Sequence, residues 1–405
     1  MKLEVIPQEY QTALPILKKI EDAGFEAYFV GGSVRDVLLG HAIHDVDIAT
    51  SAFPAEIKEI FPRTIDVGIE HGTVLVLDEE EQYEITTFRT ESTYQDFRRP
   101  DHVEFVRSLE EDLKRRDFTI NAFALKEDGE IIDLFDGLAD LENKVLRAVG
   151  NPHERFHEDA LRMMRGLRFV SQLGFQLEQE TFASIYDNHA LLEKISVERI
   201  NIEFIKLLLG KYRRQGLQMF VETECYSYCP KLRAYGESLL RFAELTDQQI
   251  NKEVHAWVLL IDQLGLSNKE IRPFMKAWKC SNDSIRTTQA VFMGLQFRKT
   301  QAFTKPLLYV LGEEQAILTE ELLPYFGLEN DITAVKEAYR QLVIHSLQDL
   351  AISGHDLLAY FDKKPGKWMK EILTLCEQAV VEQVIPNEKK ELLNYAAAAI
   401  EKNEC

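Results

Sequence analysis

The sequence predicts an α+β protein in which a mixed α/β head is followed by helices to the end of the chain. Two observations support this prediction. Within residues 1–150, strand-like and helix-like segments alternate, and two of these segments resemble β-hairpins. From residue 154 onward, apolar residues recur at spacings of three and four, the period of an amphipathic helix. Because single cores rarely grow to 405 residues, we expect several domains.

The head is expected to contain a small, mostly antiparallel or mixed sheet. Residues 27–32 (AYFVGG) indicate a buried strand that ends in two glycines, and residues 45–50 (DVDIAT) indicate a second strand. Residues 73–88 predict a hairpin that turns at its acidic middle, and residues 123–135 predict another that turns at Asp128-Gly129. Sheets built from such hairpins are largely antiparallel.

Composition limits the class of protein without deciding its partner. Hydrophobic residues make up 45% of the chain, and we find neither a secretion signal nor a run of about 18 apolar residues. We therefore expect a cytoplasmic protein with no membrane segment. The five cysteines predict free thiols. Cys225 and Cys229 lack a second pair at zinc-ligand spacing, so buried thiols are favoured over a metal site.

The net charge of -20 argues at first sight against nucleic acid, because phosphate binding normally leaves a basic footprint. Binding requires only a local basic surface, however. Clusters of lysine and arginine occur at residues 98–99, 114–116, 162–168, 211–214 and 363–370. Composition alone therefore leaves the partner open.

Residues 31–50 (GGSVRDVLLGHAIHDVDIAT) combine two glycines with two closely spaced carboxylates. On a strand, Asp45 and Asp47 project from the same face, where they repel each other unless a cation lies between them. Mg²⁺ prefers one or two carboxylates together with phosphate oxygens and water. A solvated acidic turn would explain the triplet alone. Its context favours Asp45 and Asp47 as catalytic metal ligands.

That context is a glycine turn that leads into a predicted helix. Gly31 and Gly32 would let backbone N–H groups approach a triphosphate, and Arg35 on the helix could hold a phosphate with two N–H groups. We therefore predict that Gly32 and Arg35 bind nucleotide. A dinucleotide-binding interpretation fails because the G-x-G-x-x-G spacing is absent.

Gly32-Ser33, eleven further residues and Asp45-Val46-Asp47 resemble the signature of the nucleotidyltransferase superfamily that includes DNA polymerase beta. The full stretch resembles, more narrowly, the class II tRNA nucleotidyltransferases (CCA-adding enzymes) and their relatives, the bacterial poly(A) polymerases. The resemblance is strong over residues 27–200. It implies an α/β head (1–150) followed by an all-α neck (151–210), body (211–330) and tRNA-binding tail (331–405). His44-Asp45 also looks like the dipeptide of HD phosphohydrolases, but the companion histidines of that site are missing.

Residues 114–125 (KRRDFTINAFAL) resemble the RRDFTINA motif of the same family. The resemblance implies that Arg116 contacts the incoming nucleotide, and that Asp117 and Asn121 help to shape the ribose and phosphate pocket. As bare residues, the same charges would also suit a solvated turn.

Residues 157–175 predict one amphipathic helix with a basic stripe and an apolar stripe on opposite sides. The basic stripe consists of Arg162, Arg165 and Arg168. With few acids beside them in the sequence, these arginines favour an anionic ligand over a solvated basic face.

Residues 158–162 (EDALR) resemble the EDxxR motif that serves the family as an amino-acid template. On a helix, Asp159 and Arg162 lie one turn apart and offer hydrogen-bond acceptors and donors together. Cytosine and adenine present an exocyclic amine beside an acceptor nitrogen, whereas uracil and guanine present the reverse pattern. The pair could therefore accept CTP and ATP and reject UTP and GTP. The resemblance also implies that Arg165 and Arg168 hold the base or the triphosphate.

Two further features of the head stay open at this stage. In the family, a flexible loop at residues 90–105 is linked to the switch from C to A addition, and Asp96, Arg98 and Arg99 match it. This loop favours a complete CCA-adding enzyme over one that adds only CC. A third catalytic carboxylate is not assigned, and Glu84, Asp66 and Asp78 are the candidates.

The resemblance implies an enzyme that adds C, C and A to the 3′ end of tRNA from CTP and ATP, with Mg²⁺, and releases pyrophosphate. The enzyme would contact the acceptor and T arms of tRNA. Candidate phosphate contacts surround Trp368, namely Lys363, Lys364, Lys367 and Lys370. The alternatives are a poly(A) polymerase and a non-catalytic RNA-binding regulator, although the intact site residues argue against the regulator. The oligomeric state is not predicted.

Overall fold

The computed structural model describes residues 1–43, 45–78, 81–91 and 103–404. The chain divides into two compact units. The first comprises Met1–Ile250 with Ala277–Lys279, and the second comprises Asn251–Lys276 with Cys280–Cys405. The predicted α+β class is confirmed, since the strands lie in the N-terminal half and the chain beyond residue 178 is helical where it is described. The division into head, neck, body and tail stays a prediction.

The first unit contains a mixed sheet in which seven strands of the described residues are arranged in the order β3-β4-β5-β2-β1-β8-β9. The strands of the unit are β1 (Ala27–Val30), β2 (Asp47–Thr50), β3 (Thr64–Gly68), β4 (Thr73–Asp78), β5 (Glu81–Thr87), β6 (Arg89–Glu91), β7 (Val103–Phe105), β8 (Phe123–Leu125), β9 (Ile131–Asp133), β10 (Val145–Leu146) and β11 (Gln176–Leu177). Both predicted hairpins are confirmed, as β4–β5 and β8–β9. Within this sheet β2 and β5 pair in parallel, and the other neighbours are antiparallel.

Helices cover the sheet and continue beyond it. They are α1 (Gln8–Asp22), α2 (Gly32–Leu38), α3 (Pro54–Ile60), α4 (Leu109–Lys114), α5 (Gly137–Glu142), α6 (Pro152–Glu158), α7 (Leu161–Leu173), α8 (Gln179–Asn188), α9 (Val197–Leu208), α10 (Arg213–Glu222) and α11 (Gly236–Glu244). Successive strand residues point to opposite faces, and each face of the sheet has its own core. Phe29 and Ile48 pack with α1 and α3 on one face, whereas Val30 and Ala49 pack with Phe88 on the other.

The predicted single helix over residues 157–175 is wrong in one respect. Helix α6 ends at Glu158, and α7 begins only at Leu161. Between them, Asp159 has extended backbone angles (φ -137°, ψ 103°), and its Oδ1 accepts the N–H of Leu161 at 3.0 Å. The carboxylate therefore binds the first N–H of α7, and the Asp159 carbonyl accepts the Arg162 N–H at 3.0 Å, so Asp159 precedes the helix but shares its first turn with Arg162.

The second unit is helical. Its helices are α12 (Glu253–Leu264), α13 (Asn268–Ala277), α14 (Asn282–Arg298), α15 (Lys305–Leu311), α16 (Glu313–Glu320), α17 (Ile332–Arg340), α18 (Gly354–Phe361), α19 (Lys367–Val381) and α20 (Lys389–Glu404). The four lysines around Trp368 are exposed, two of them before α19 and two in its first turn. Trp368 itself is half-buried, and its indole N–H donates to the Lys364 carbonyl at 3.0 Å.

Two expectations from composition can be compared with the structure. Cys225, Cys229, Cys280 and Cys376 are buried and form no disulfide. Burial raises the pKa of the Cys225 thiol to about 12. None of the helices in the described part of the chain combines the length and hydrophobicity needed to cross a bilayer.

Candidate active site

The two predicted metal ligands lie at the start of β2. Asp47 is the first residue of the strand, and Asp45 precedes it, so strand geometry orients only one of the two. Because β2 pairs in parallel with β5, Asp47 is in register with Glu84 and shares its face of the sheet. The surrounding protein removes hydration and raises the pKa of Asp47. Arg116 opposes this shift, while Glu84 and Asp45 add to it.

Of the three candidates for a third carboxylate, Glu84 lies beside Asp47. Asp66 and Asp78 are instead held by lysines, at 2.7 Å from Lys58 and 3.0 Å from Lys19. Burial is the main cause of the raised pKa of Asp47, and a divalent cation would relieve the repulsion that Glu84 and Asp45 add to it. The residues therefore fit a divalent cation. No three of the described His, Cys, Asp and Glu side chains form a ready cage, so oxygens from the substrate or water would complete the coordination.

The turn at Gly31 and Gly32 brings the backbone close to the carboxylate of Asp47. Gly31 has a φ of +77°, and a Cβ atom there would lie 3.2 Å from Arg116 Nη1 and 3.7 Å from Asp47 Oδ2. Only glycine adopts this positive φ and leaves this space beside Arg116 and Asp47 without strain. The steric demand therefore falls on Gly31, whereas Gly32 begins α2 and lines the same pocket.

Arg35 is buried and firmly held. It donates to Asn121 Oδ1 at 2.6 Å and to Asp36 Oδ1 at 2.8 and 3.0 Å. Its guanidinium also lies 5.2 Å from the centre of the Phe169 ring. These contacts fix the direction in which its charge faces the pocket.

Asp117 connects the RRDFTINA segment to α7. Its carboxylate accepts hydrogen bonds from Arg165 Nε at 2.7 Å and Asn121 Nδ2 at 3.1 Å. Burial disfavours the charged carboxylate, but Arg165 and Asn121 outweigh it and lower the pKa of Asp117 to about 2. Asp117 therefore stays ionised and orients Arg165.

Arg116 is positioned by α4. Its Nη2 donates to Asp112 Oδ2 at 3.1 Å, and its Nη1 donates to the Asn121 carbonyl at 3.3 Å. Asp112 is buried and also binds Arg115 at 2.7 Å. Asp112 was not predicted, although it lies three and four positions before Arg115 and Arg116, a local spacing typical of ion pairs on a helix.

Asp159 is held by a residue that the sequence analysis did not single out. Arg199 on α9 binds both of its carboxylate oxygens, at 2.7 and 3.3 Å. Arg162 instead donates to Glu158 Oε2 at 2.6 Å and to the Arg115 carbonyl at 2.9 Å. Asp159 precedes α7 and does not lie within it, but its carbonyl accepts the Arg162 N–H at 3.0 Å, so the two residues share the first turn and line one pocket.

The expectation that few acids lie beside the arginine stripe is also wrong. Arg168 pairs at 3.2 Å with Glu203 of α9, and both side chains are buried. The Arg168 guanidinium lies 4.2 Å from the centre of the Phe169 ring. The stripe is therefore a set of oriented ion pairs whose acids come from α6, α9 and the segment before α5.

These groups surround a cavity of about 940 Å³. Eight arginines and one lysine line it, against three aspartates, so it is basic within an acidic chain. Eight of the nine predicted site residues line it, namely Gly32, Arg35, Asp47, Arg116, Asp159, Arg162, Arg165 and Arg168. Asp45 lines an adjoining groove together with Asp47 and Glu84.

Other residues of the cavity were not predicted, including His71, Arg89, Gln172, Arg199 and Lys206. Arg199 and Lys206 are seven residues apart, a helical spacing that could have placed them on one face of α9. The loop residues Asp96, Arg98 and Arg99 lie outside the described residues.

Family models match three parts of the chain. "Poly A polymerase head domain" matches residues 27–147, "Probable RNA and SrmB- binding site of polymerase A" matches residues 174–235, and "tRNA nucleotidyltransferase domain 2 putative" matches residues 248–396. The CCA-adding enzyme of Enterococcus faecalis is 60% identical over 404 residues, which is 100% of each chain. The chain belongs to the CCA-adding enzyme family.

Solved structures of family members agree with this membership. The Bacillus stearothermophilus CCA-adding enzyme in complex with CTP is 39% identical, with a TM-score of 0.88, and the match covers 98% of this chain and 99% of that one. A tRNA nucleotidyltransferase complexed with a primer tRNA and an incoming ATP analog is 25% identical, with a TM-score of 0.56 and coverage of 77% and 97%. CCA-adding enzymes are nucleotidyltransferases that need divalent metal ions. Neither a poly(A) polymerase nor a non-catalytic regulator is favoured by these relatives.

Proposed function

We propose that this pocket adds C, C and A to the 3′ end of tRNA from CTP and ATP. The 3′ hydroxyl of the RNA attacks the α-phosphate, a new phosphodiester bond forms, and pyrophosphate leaves. The observation that carries the proposal is that an acidic group of residues and a basic cavity meet at Asp47. Carboxylates suited to a cation lie on one side, and a cavity lined by eight arginines lies on the other.

The cation is proposed to be Mg²⁺, held by Asp45 and Asp47 with Glu84 as a third candidate. Bound there, it would supply activation of the attacking hydroxyl and neutralisation of the triphosphate. Arg116 and Gly31 support phosphate binding, because the guanidinium and the Gly31 backbone lie side by side next to Asp47. Gly32, Arg35, Arg165 and Arg168 are proposed to bind the rest of the nucleotide.

Base selection is proposed to rest on Asp159 and Arg162. The carboxylate of Asp159 would accept the exocyclic amine of cytosine or adenine, and Arg162 would donate to a ring nitrogen or carbonyl. Arg199 supports this role because its two contacts fix the plane of the carboxylate. The directions of the two side chains are thus set by Arg199 on α9 and by the Arg115 carbonyl at the end of α4.

The RNA partner is proposed to be tRNA, bound through its acceptor and T arms in the cytoplasm. A contact between the tail and phosphates is supported by four exposed lysines before and within the first turn of α19, namely Lys363, Lys364, Lys367 and Lys370. The assignment of residues 1–150, 151–210, 211–330 and 331–405 to head, neck, body and tail belongs to the same proposal.

The test offers each nucleotide to tRNA that lacks its last three residues, lacks its last two, or lacks only the terminal A. We expect CTP to be used on the first two substrates and ATP on the third, with pyrophosphate released at each addition. Repeated ATP addition without CTP would instead identify a poly(A) polymerase.

Metal-ligand variants complete the test. Asp45→Asn and Asp47→Asn should abolish addition while tRNA binding and thermal stability change little, because they remove cation ligands that are not part of a core. Asp66→Asn on β3 is the matched control and should stay active, since Asp66 pairs with Lys58 away from the cavity. Near-normal turnover by Asp47→Asn would overturn the metal assignment.

A further inference from the structure

Helix α9 has two opposite faces, and one of them orients side chains of the cavity. With 3.6 residues per turn, Arg199, Glu203 and Lys206 fall within an arc of about 60°. Arg199 and Lys206 line the cavity, and Glu203 binds Arg168, which also lines it. This face, which we call the cavity face of α9, therefore holds groups that are proposed to bind and select the nucleotide.

The opposite face of α9 receives a tryptophan from a distant part of the chain. Asn201 and Phe204 lie on this face, centred about 160° from the cavity face. The Asn201 side-chain amide donates to the Trp278 carbonyl at 3.0 Å. The rings of Phe204 and Trp278 are stacked, with their centres 4.6 Å apart and an angle of 20° between their planes, and both are fully buried. Trp278 therefore contacts α9 through its backbone and its side chain.

Trp278 lies in the turn that ends α13. Lys279 has a φ of +61°, and the Cys280 N–H donates to the Met275 carbonyl at 3.1 Å. These are the features of a Schellman turn, in which the left-handed position is usually occupied by glycine. Trp278 and its two neighbours belong to the first unit, whereas the chain before and after them belongs to the second. The turn thus adds a buried aromatic ring to the first unit.

A shift on one face of α9 must also move the other face. The helix is continuous over 12 residues, and its backbone hydrogen bonds keep the two faces in a fixed relation. Phe204 also packs against Phe220 of α10, with ring centres 5.5 Å apart, so Trp278 completes a cluster of three rings. When a buried side chain is made smaller, its neighbours move to fill part of the space. Loss of the indole should therefore shift α9 and, with it, Arg199.

We propose that Trp278 is a positioning residue for base selection, which acts through α9 and Arg199 on the carboxylate of Asp159. The proposal rests on the proposed function, because it requires Asp159 to accept the base. Arg199 holds the two carboxylate oxygens at 2.7 and 3.3 Å, and hydrogen bonds weaken steeply as their geometry departs from the optimum. Trp278 does not line the cavity, so it acts without contact to the nucleotide.

The experiment measures the ratio of kcat/KM for CTP and UTP on tRNA lacking its last three residues. Because both nucleotides are offered to the same enzyme preparation, a loss of folded protein cancels in this ratio. Trp278→Leu should lower the ratio about threefold, which is less than the loss of about fivefold expected when Arg199 itself is removed. Trp278→Phe keeps a ring against Phe204 and should restore most of the ratio.

Two further variants control for stability. Trp257→Leu is the matched control, because Trp257 is also fully buried, contacts the ring of Phe274 and belongs to the second unit. It should lower the melting temperature and leave the ratio unchanged. Phe204→Leu makes a smaller change at the contact with Trp278 and should lower the ratio about twofold, so it tests the proposal even if Trp278→Leu does not fold.

The outcomes distinguish this proposal from the proposed function. Trp278→Leu combined with Arg199→Ala should give the ratio of Arg199→Ala alone, and multiplied losses would overturn the route through Arg199. An unchanged ratio in Trp278→Leu and Phe204→Leu would refute the role of Trp278 and leave the proposed function intact. An equal fall in Trp257→Leu would also refute it, because the ratio would then follow stability. Failure of the unaltered enzyme to prefer CTP would refute the proposed function instead.

Discussion

The contact between Arg199 and Asp159 allows base selection to be tested from a residue outside the template motif. Arg199 holds both oxygens of the carboxylate, at 2.7 and 3.3 Å, and the two side chains are 27% and 17% exposed. If Asp159 accepts the exocyclic amine of cytosine, Asp159→Ala removes a hydrogen bond to a charged group. Such a bond contributes about 1.5 to 3 kcal/mol, so preference for CTP over UTP should fall about tenfold to a hundredfold.

Removing Arg199 should have a smaller effect in the same direction. A partly exposed ion pair contributes up to about 1 kcal/mol, so Arg199→Ala should reduce the CTP preference by about fivefold through loss of orientation. The double variant should equal Asp159→Ala, because Arg199 acts only by holding that carboxylate. The quantity to measure is the ratio of kcat/KM for CTP and UTP on tRNA lacking its last three residues.

A matched control and two adverse outcomes make this test decisive. Arg286→Ala removes an exposed arginine that pairs with Asp283 in the second unit, and the ratio should not change. If Asp159→Ala slows all four nucleotides equally, base selection does not depend on this carboxylate. If Asp159→Ala loses the preference and Arg199→Ala keeps it, Arg199 has only a structural role.

Two other predictions concern the tail and the response to acid. Changing Lys363, Lys364, Lys367 and Lys370 to Glu should weaken tRNA binding. The slope of the logarithm of tRNA affinity against the logarithm of salt concentration should fall by up to about 3.6. An unchanged slope would exclude the tail as a phosphate contact. The pKa of Asp117 is lowered from an ordinary 3.8 to about 2. Its ionised carboxylate should therefore add about 2 kcal/mol to the free energy of unfolding above pH 4, and this contribution should disappear as the pH falls to 2. Urea unfolding between pH 2 and 6 should therefore show a weaker acid dependence in Asp117→Asn, and an identical dependence would contradict this account.

Features set by nearby residues could be predicted from the sequence. The hairpins of β4–β5 and β8–β9 depend on turns and alternation within a short segment, and both were predicted correctly. The arginine stripe of α7 follows from helical periodicity, and all three arginines line the cavity. Strong local patterns were therefore sufficient for the elements and for most of the cavity wall.

Features set by tertiary contacts could not be predicted in this way. Glu84 lies beside Asp47 because β5 pairs with β2, and no local pattern reveals which strands will be neighbours. Glu203 is 35 positions after Arg168, and only the packing of α9 on α7 brings the two together.

The break at Asp159 is a different case, because a local signal was present. An aspartate before an apolar run is a common start of a helix, yet the apolar periodicity continued across it and concealed the break. Apolar periodicity alone therefore does not locate the boundary between α6 and α7.

The separation of α6 from α7 also bears on how altered base preference could be engineered. The backbone turn that joins Asp159 to Arg162 does not by itself set the direction of either side chain. Asp159 instead takes its direction from Arg199 on α9, and Arg162 takes its direction from Glu158 and the Arg115 carbonyl. Substitutions on α9 can therefore shift the acceptor while the donor stays in place. Variants with altered nucleotide preference should accordingly arise in α9 as well as in the template motif itself.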